Sequence, residues 1–157
     1  TTPAITALLE CGCFDRVVVM VQKEAAQRIC AGPGDKDYSA FSAQVAYYAK
    51  PEMILDVPHD LFIPAPKVDS VVLRLDVHKQ PVTVADKKAV FRVIRAAFAN
   101  RRKTFANGLC MEYGKSLSKA QAEELLIQLG FASNVRGEGL SLRDFDAIAV
   151  KMQDFLG

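Results

Sequence analysis

Apolar side chains recur at helical spacing in two stretches near the start of the chain, on either side of a β-branched run. Residues 2–11 carry Pro3 in the first turn, where a helix tolerates it, and are followed by Gly12, which predicts a short helix. Residues 16–21 (RVVVMV) predict a strand that is buried on both faces of a parallel sheet. Because helical spacing returns over residues 23–30, the order of helix, strand and helix favours an α/β sheet.

A loop, a further helix and two strands follow in the pattern. Residues 31–37 have the composition of a loop, and residues 39–48 favour a helix. Strands are predicted over residues 53–57 and 68–75, the second from its alternating side chains. The proline-rich sequence DVPHDLFIPAPK joins these two strands.

Every periodic segment after a predicted linker at Gln80 and Pro81 is helical. We predict helices over residues of about 86–109, 118–129 and 141–155. Capping-box spacing occurs in two pairs, Ser118 with Gln121 and Ser141 with Asp144. The last helix carries an apolar stripe that predicts core packing, formed by Phe145, Ile148, Ala149 and Met152.

Charge is distributed unevenly along the 157 residues. The chain is 50% hydrophobic and 24% charged, and no apolar run approaches the roughly 20 residues of a membrane helix, so a disordered tail and a membrane protein are excluded. Residues 1–81 have a net charge of −2 and residues 82–157 a net charge of +4. Between Asp86 and Glu112 stand seven basic residues and no acid, a distribution that suits binding to a polyanion.

The basic residues of the predicted helix 86–109 form a sector beside its packing face. A solvated basic face is one interpretation. The absence of acids four residues away and the cluster Arg101-Arg102-Lys103 favour phosphate binding, because guanidinium groups match phosphate oxygens. Nucleic acid is favoured over a membrane surface, since exposed large apolar residues are not interleaved with the patch.

The segment after Phe62 is stiffened by Pro64 and Pro66. Each proline fixes its own φ and restricts the residue before it to extended geometry. Such a strut can present the Phe62 ring as a stacking platform for an unstacked base. The alternative, which composition alone favours, is that Phe62 fills the core at the entrance of a strand.

Other candidate sites are weaker. The four cysteines lack paired CxxC spacing and a companion histidine cluster, so we expect no metal site, and we expect reduced thiols in a cytoplasmic protein. The sequence Gly32-Pro33-Gly34 lacks the flanking strand and motif of a phosphate-binding loop.

Four segments together resemble the small-subunit ribosomal RNA adenine dimethyltransferases. In matching order along almost the whole chain they are residues 21–26 (VQKEAA), 38–42 (YSAFS) leading to Tyr47-Tyr48, 62–70 (FIPAPKVDS) and 96–104 (AAFANRRKT). Residues 136–141 (RGEGLS) are similar to the family's motif before the last helix. Departures from the family pattern at Ala46, Asn100 and Gly108 concern local packing more than function.

The resemblance implies a fragment with an α/β part followed by an all-α part. Residues 1–79 would be the carboxy-terminal part of a Rossmann-like methyltransferase sheet, and residues 82–157 a small helical RNA-binding domain. The family's glycine-rich loop, ribose-binding acid and Asn-Leu-Pro-Tyr motif have no counterpart in the sequence. We therefore expect no cofactor-binding residue in this chain, S-adenosyl-L-methionine to be bound by the missing amino-terminal half, and the fragment to be inactive alone.

The resemblance also implies a reaction and its partners. The enzyme would transfer two methyl groups to N6 of each of two adjacent adenines near the 3′ end of small-subunit rRNA, as a cytoplasmic monomer acting on the assembling small ribosomal subunit. Phe62 would stack the target adenine, supported by Pro64 and Pro66. The candidates for phosphate contacts are Arg95, Arg101, Arg102, Lys103 and Arg136. The alternative is a non-enzymatic nucleic-acid-binding module of the helix-turn-helix kind, which leaves the FIPAPKVDS segment unexplained.

Overall fold

Strands and helices alternate in the first half of the chain, and helices alone follow in the second. The structure, a computed structural model, describes residues 2–157. Its elements are α1 (Thr2–Glu10), β1 (Arg16–Gln22), α2 (Lys23–Cys30), α3 (Ala40–Tyr48), β2 (Ala49–Val57), β3 (Ser70–Val77), α4 (Lys87–Phe98), α5 (Phe105–Tyr113), α6 (Lys119–Gln128) and α7 (Leu142–Leu156). Single 3₁₀ turns occupy His59–Leu61, Gly114–Ser116 and Gly137–Gly139. The chain divides into two compact units, one of residues up to 31 with 36–82, the other of residues 32–35 with 83–157.

The first unit is built on three antiparallel strands in the order β1-β3-β2. Arg16 lies opposite Asp76 at one end of the β1–β3 pair, and Gln22 opposite Ser70 at the other. One face of the sheet packs into the core with α1, α2 and α3. The apolar core contains Ile5, Leu9, Val17, Val21, Ala26, Ile29, Val45, Ala49, Val71, Leu73 and Leu75.

The prediction that β1 is buried on both faces of a parallel sheet is wrong for this structure. Val17 and Val21 are buried, but Val18 and Met20 are 58% and 53% exposed. Successive strand residues point to opposite faces, so the RVVVMV run supplies apolar side chains to a second face that the described residues leave uncovered. The predicted helix over residues 39–48 is confirmed, with Ser39 as its N-cap.

The second unit is a helical cluster around Phe145. Its ring meets those of Phe98 and Phe105 edge to face, at centroid distances of 6.2 and 6.3 Å. Both predicted capping boxes are present, at Ser118 and Ser141. The predicted stripe of α7 is confirmed, since its four members are at most 1% exposed.

The predicted long helix over residues 86–109 is wrong, because it is two helices. Helix α4 ends at Phe98, and α5 begins at Phe105 after Thr104, whose Oγ1 accepts from the Asn107 N–H at 3.4 Å. Between them the Asn100 side chain accepts from the Arg102 N–H at 3.2 Å. These polar side chains satisfy backbone groups locally and so end one helix and start the next.

Glycine at position 108 allows α4 and α5 to cross closely. A Cβ built there would overlap the carbonyl oxygen of Ala96 in α4. Gly108 therefore lies at a helix–helix contact. The buried residues of α4 are Val90, Val93, Ile94, Ala96 and Ala97, whereas Phe91 and Phe98 are only partly buried.

Candidate functional site

Phe62 lies in the loop between β2 and β3, directly after a 3₁₀ turn. The turn is fixed by backbone bonds, since the Leu61 N–H donates to the Pro58 carbonyl at 3.2 Å and the Phe62 N–H to the His59 carbonyl at 3.3 Å. Phe62 itself is extended, with φ −106° and ψ 150°. The chain therefore leaves β2 through an ordered turn, and this turn fixes the backbone position of Phe62.

The loop is closed at its base by Asp69. One oxygen of its carboxylate, Oδ1, accepts from the His59 N–H at 2.9 Å and lies 2.7 Å from His59 Nδ1. The Asp69 carbonyl accepts from the N–H of Lys23, the first residue of α2, at 3.0 Å. These hydrogen bonds from His59 hold the pKa of the Asp69 carboxyl below its ordinary value, so the group is a carboxylate at neutral pH.

The residues that follow Phe62 in the chain are exposed to solvent. Phe62 is partly buried and does not belong to the buried core of its unit. Ile63 is fully exposed, and Pro64 and Pro66 are exposed. In this chain, the interpretation of Phe62 as a core-filling residue therefore has less support than it had from composition. The stacking role stays a prediction.

The predicted basic cluster lies in the turn between α4 and α5 rather than on a helix. Arg102 and Lys103 are exposed, and within residues 2–157 their side chains form no hydrogen bond or ion pair. The turn is held by the Asn100 side chain and by a hydrogen bond from the Lys103 N–H to the Asn100 carbonyl at 3.2 Å. Two cations thus stand on an ordered turn with their charges available.

Three other cations of this region, Arg92, Arg95 and Arg101, have acidic partners that the sequence pattern did not suggest. Arg92 and Arg95 both reach Glu112 of α5, at 3.3 and 3.4 Å. Arg92 also lies 4.0 Å from the centroid of the Tyr113 ring. Arg101 stands 3.6 Å from Glu138. No acid stands four residues from these arginines in the sequence, but Glu112 of α5 compensates Arg92 and Arg95 of α4 through tertiary structure.

Arg136 is brought beside the basic turn by the packing of its neighbours. The Val135 carbonyl accepts from the Phe105 N–H at 2.8 Å. A Cβ at Gly137 would overlap backbone and side-chain atoms of Ala97, so this segment lies directly on the end of α4. The exposed Arg136 side chain forms no ion pair within the described chain. Arg101, Arg102, Lys103 and Arg136 thus belong to one surface region, whereas Arg95 lies further back on α4.

The Gly32-Pro33-Gly34 loop does not fit a cofactor phosphate or carboxylate. The Gly32 N–H donates to the Asp35 carboxylate at 2.8 Å and the Gly34 N–H to the Glu138 carbonyl at 3.1 Å. Its backbone donors are already used by the protein. Residues 2–157 contain no group of three or more His, Cys, Asp or Glu side chains that could hold a metal ion. None of the helices in that range combines the length and the apolarity that a membrane crossing requires.

Three acidic residues were missed by sequence reasoning, namely Asp69, Glu112 and Glu138. Asp69 lies inside the FIPAPKVDS segment, where the aromatic residue and the prolines give the stronger sequence signal. Glu112 is the first acid after the basic run, and this position was the available signal. No local spacing links Glu138 to Arg101, since they are paired by tertiary structure.

Comparison with known proteins gives a consistent result. The family model described as ribosomal RNA adenine dimethylase matches residues 1–146. A ribosomal RNA small subunit methyltransferase A of Lachnoclostridium phytofermentans is 45% identical over 95% of this chain and 52% of its own length. One from Geobacillus sp. is 43% identical over 99% of this chain and 55% of its own length. The chain spans about half the length of the curated relatives it matches.

Solved structures are similar in fold. A dimethyladenosine transferase from Plasmodium falciparum superposes with a TM-score of 0.82 at 23% identity, over 99% of this chain and 63% of that chain. The 23S rRNA methyltransferase ErmE superposes with a TM-score of 0.68 at 19% identity, over 97% of this chain and 61% of its own. At these identities the comparison establishes the fold.

Proposed function

This chain belongs to the ribosomal RNA adenine dimethylase family, and from that premise we propose that it is the carboxy-terminal part of an rRNA (adenine-N6,N6-)-dimethyltransferase. The complete enzyme would act on two adjacent adenines near the 3′ end of small-subunit rRNA. Its partners would be that RNA and the assembling small ribosomal subunit, and it would work as a cytoplasmic monomer. The non-enzymatic alternative is not favoured, because the match extends across both units.

The open side of the sheet supports the proposal that a larger sheet is completed elsewhere. Strand β1 stands at the edge of the order β1-β3-β2, and its outer edge has no partner strand among residues 2–157. Its second face exposes Val18 and Met20. An exposed apolar strand with an unpaired edge favours aggregation, and complete proteins usually cover or pair such edges. We infer that residues 1–79 end a Rossmann-like sheet and that residues 82–157 form a helical RNA-binding domain.

The methyl donor would be S-adenosyl-L-methionine, held by the half of the enzyme that this chain lacks. The glycine loop of this chain has its N–H donors occupied, and the sequence carries no ribose-binding acid of the family kind. The chain alone would therefore neither bind the cofactor nor methylate RNA.

Methyl transfer to adenine depends mainly on how the target amine is positioned. The exocyclic amine of adenine is a weak nucleophile because its lone pair is delocalised into the ring, so the rate depends on holding it in line with the methyl group. Enzymes that modify a base take it out of the stack and read it by stacking. The partly exposed Phe62, held by an ordered turn with stiff prolines after it, supplies such a face. This observation carries the proposal.

The four cations at the turn would hold the RNA. Arg102, Lys103 and Arg136 have no acidic partner in the described chain, and Arg101 lies 3.6 Å from the partly exposed Glu138. Phosphate contacts of this kind give affinity without sequence preference, so they would dock the RNA while Phe62 acts on one inserted base.

The deciding experiment replaces Phe62 by Ala in the complete enzyme. Stacking of a base on an aromatic ring is worth about 1–3 kcal/mol, which predicts a loss of about five- to 150-fold in single-turnover methylation. Phe62→Tyr and Phe62→Trp should keep much of the activity, because the ring face is what is needed. RNA affinity should change little, since docking precedes base insertion.

Ile63→Ala is the matched control, because this neighbour is fully exposed and apolar. It should methylate at the normal rate. A large fall in melting temperature for Phe62→Ala, with normal turnover in the folded fraction, would show that the ring serves the core and would refute the stacking role.

A further inference from the structure

Among residues 2–157, the Phe62 loop between β2 and β3 is anchored by the carboxylate of Asp69, which contacts both the backbone and the side chain of His59. The end of the loop is fixed by backbone alone, through Ser70 opposite Val57 in the sheet and the Asp69 carbonyl on α2. The carboxylate reaches back across the loop to the start of the 3₁₀ turn, where Oδ1 takes the His59 N–H at 2.9 Å. It therefore ties the exit of the loop to its entrance.

This contact connects directly to the aromatic residue. The His59 carbonyl accepts from the Phe62 N–H at 3.3 Å, so His59 is held by Asp69 on its amide side and holds Phe62 on its carbonyl side. The three groups form a continuous hydrogen-bonded path. A hydrogen bond to a charged acceptor is stronger than a neutral one, which makes this anchor the strongest single link in the loop.

We propose that Asp69 is a positioning residue for methylation, whose carboxylate acts through the His59 backbone to fix the Phe62 ring against the target base. The inference rests on the proposed function, because it requires Phe62 to stack the base. Asp69 has no contact with substrate in this scheme. Asp69 affects the fraction of time that the Phe62 ring is oriented for stacking. Its loss should therefore lower kcat and leave RNA binding unchanged.

Substitutions at Asp69 in the complete enzyme test the idea. Asp69→Ala should lower kcat about tenfold with the KM for RNA unchanged, as expected when one charge-assisted hydrogen bond orders the ring. Asp69→Asn should restore most of the rate, because its amide oxygen can still accept from the His59 N–H. His59→Ala should cost less than Asp69→Ala, since it removes the Nδ1 contact at 2.7 Å but keeps the backbone N–H that the carboxylate holds.

Asp60→Ala is the matched control. Asp60 is an exposed carboxylate in the same turn, and its side chain makes no hydrogen bond or ion pair within residues 2–157. Its loss should leave kcat unchanged. Should Asp69→Ala fail to fold, Asp69→Glu keeps the charge but displaces the carboxylate by one methylene, and a normal kcat in that folded variant would overturn the proposal.

A double variant separates this inference from the function on which it rests. With Phe62 already changed to Ala, adding Asp69→Ala should lower kcat no further, because Asp69 acts through the ring. A further tenfold fall would mean that Asp69 acts elsewhere and would overturn its positioning role. If Phe62→Ala slows methylation while Asp69→Ala does not, the stacking function stands and the positioning role fails. If Phe62→Ala has no effect, the stacking function itself fails.

Discussion

Removing the two unpaired cations of the turn should weaken the salt dependence of RNA binding by a defined amount. Each phosphate that a protein neutralises contributes about 0.7–0.9 to the slope of log K against log salt. Arg102 and Lys103 have no partner among the described residues, so both charges can be given to phosphate. Arg102→Ala with Lys103→Ala should therefore flatten the slope by about 1.4–1.8. Between 50 and 200 mM salt, this corresponds to about a tenfold smaller loss of affinity than in the parent.

The assay is a fluorescence titration of a small-subunit rRNA hairpin at several salt concentrations. Adding Arg101→Ala should flatten the slope further by less than a full contact, because Arg101 is shared with Glu138 at 3.6 Å. Stability should change by no more than about 0.5 kcal/mol, since neither Arg102 nor Lys103 makes a side-chain contact within the described chain.

The matched control removes the same net charge elsewhere in the second unit. Lys88 lies at the far end of α4, about 15 Å along the helix from Phe98, and Lys115 follows the far end of α5. These distances exceed the Debye length of about 8 Å at physiological salt. Lys88→Ala with Lys115→Ala should leave the slope close to that of the parent. Equal flattening by both pairs would show that overall charge, and not the turn, attracts the RNA.

Two further predictions concern stability. Gly137→Ala should destabilise the chain by about 1–3 kcal/mol in a thermal melt, because the new Cβ overlaps Ala97. Gly139→Ala should be close to neutral, since a Cβ there meets nothing within 4 Å. Equal melting temperatures for the two variants would contradict the close packing of this segment on α4. The hydrogen bond from Arg16 lowers the pKa of Asp76, so this carboxylate stabilises the fold above its unfolded pKa of about 3.9, and the contribution is lost as the pH falls through the lower folded value. Asp76→Asn should therefore be less stable than the parent at pH 7 and equally stable in strong acid. Urea unfolding at a series of pH values measures this difference in the free energy of unfolding. A difference that did not disappear in acid would refute the pairing.

Local signals in the sequence were sufficient for several elements. The β-branched run marked β1, and the serine caps placed the starts of α6 and α7 at Ser118 and Ser141. These succeed because a cap or a run of one residue type acts on its own few neighbours. The break after α4 was missed because Phe98 and Phe105 stand seven residues apart, which is two helical turns, so periodicity continues across a loop. Asn100 and Thr104 were the available signals for the break.

Partners that are distant in sequence could not be predicted in the same way. The antiparallel order β1-β3-β2 depends on which strands meet, and a buried apolar run looks the same in a parallel sheet. Likewise, Asp69 and His59 are ten residues apart in sequence, and only the folded Phe62 loop brings them into contact.

The break in the helix also explains why neighbouring basic residues should have different roles. Had residues 86–109 formed one helix, Arg92, Arg95 and Arg102 would have continued a single stripe. In the structure, Arg92 and Arg95 on α4 reach across to Glu112 and hold α5, whereas Arg102 lies in the turn beyond that acid. A change at Arg92 should thus be measured mainly as lost stability, through its contacts with Glu112 and the Tyr113 ring. Changes at Arg102 and Lys103 should be measured as lost RNA affinity, because the fold leaves these two charges without an internal partner among the described residues.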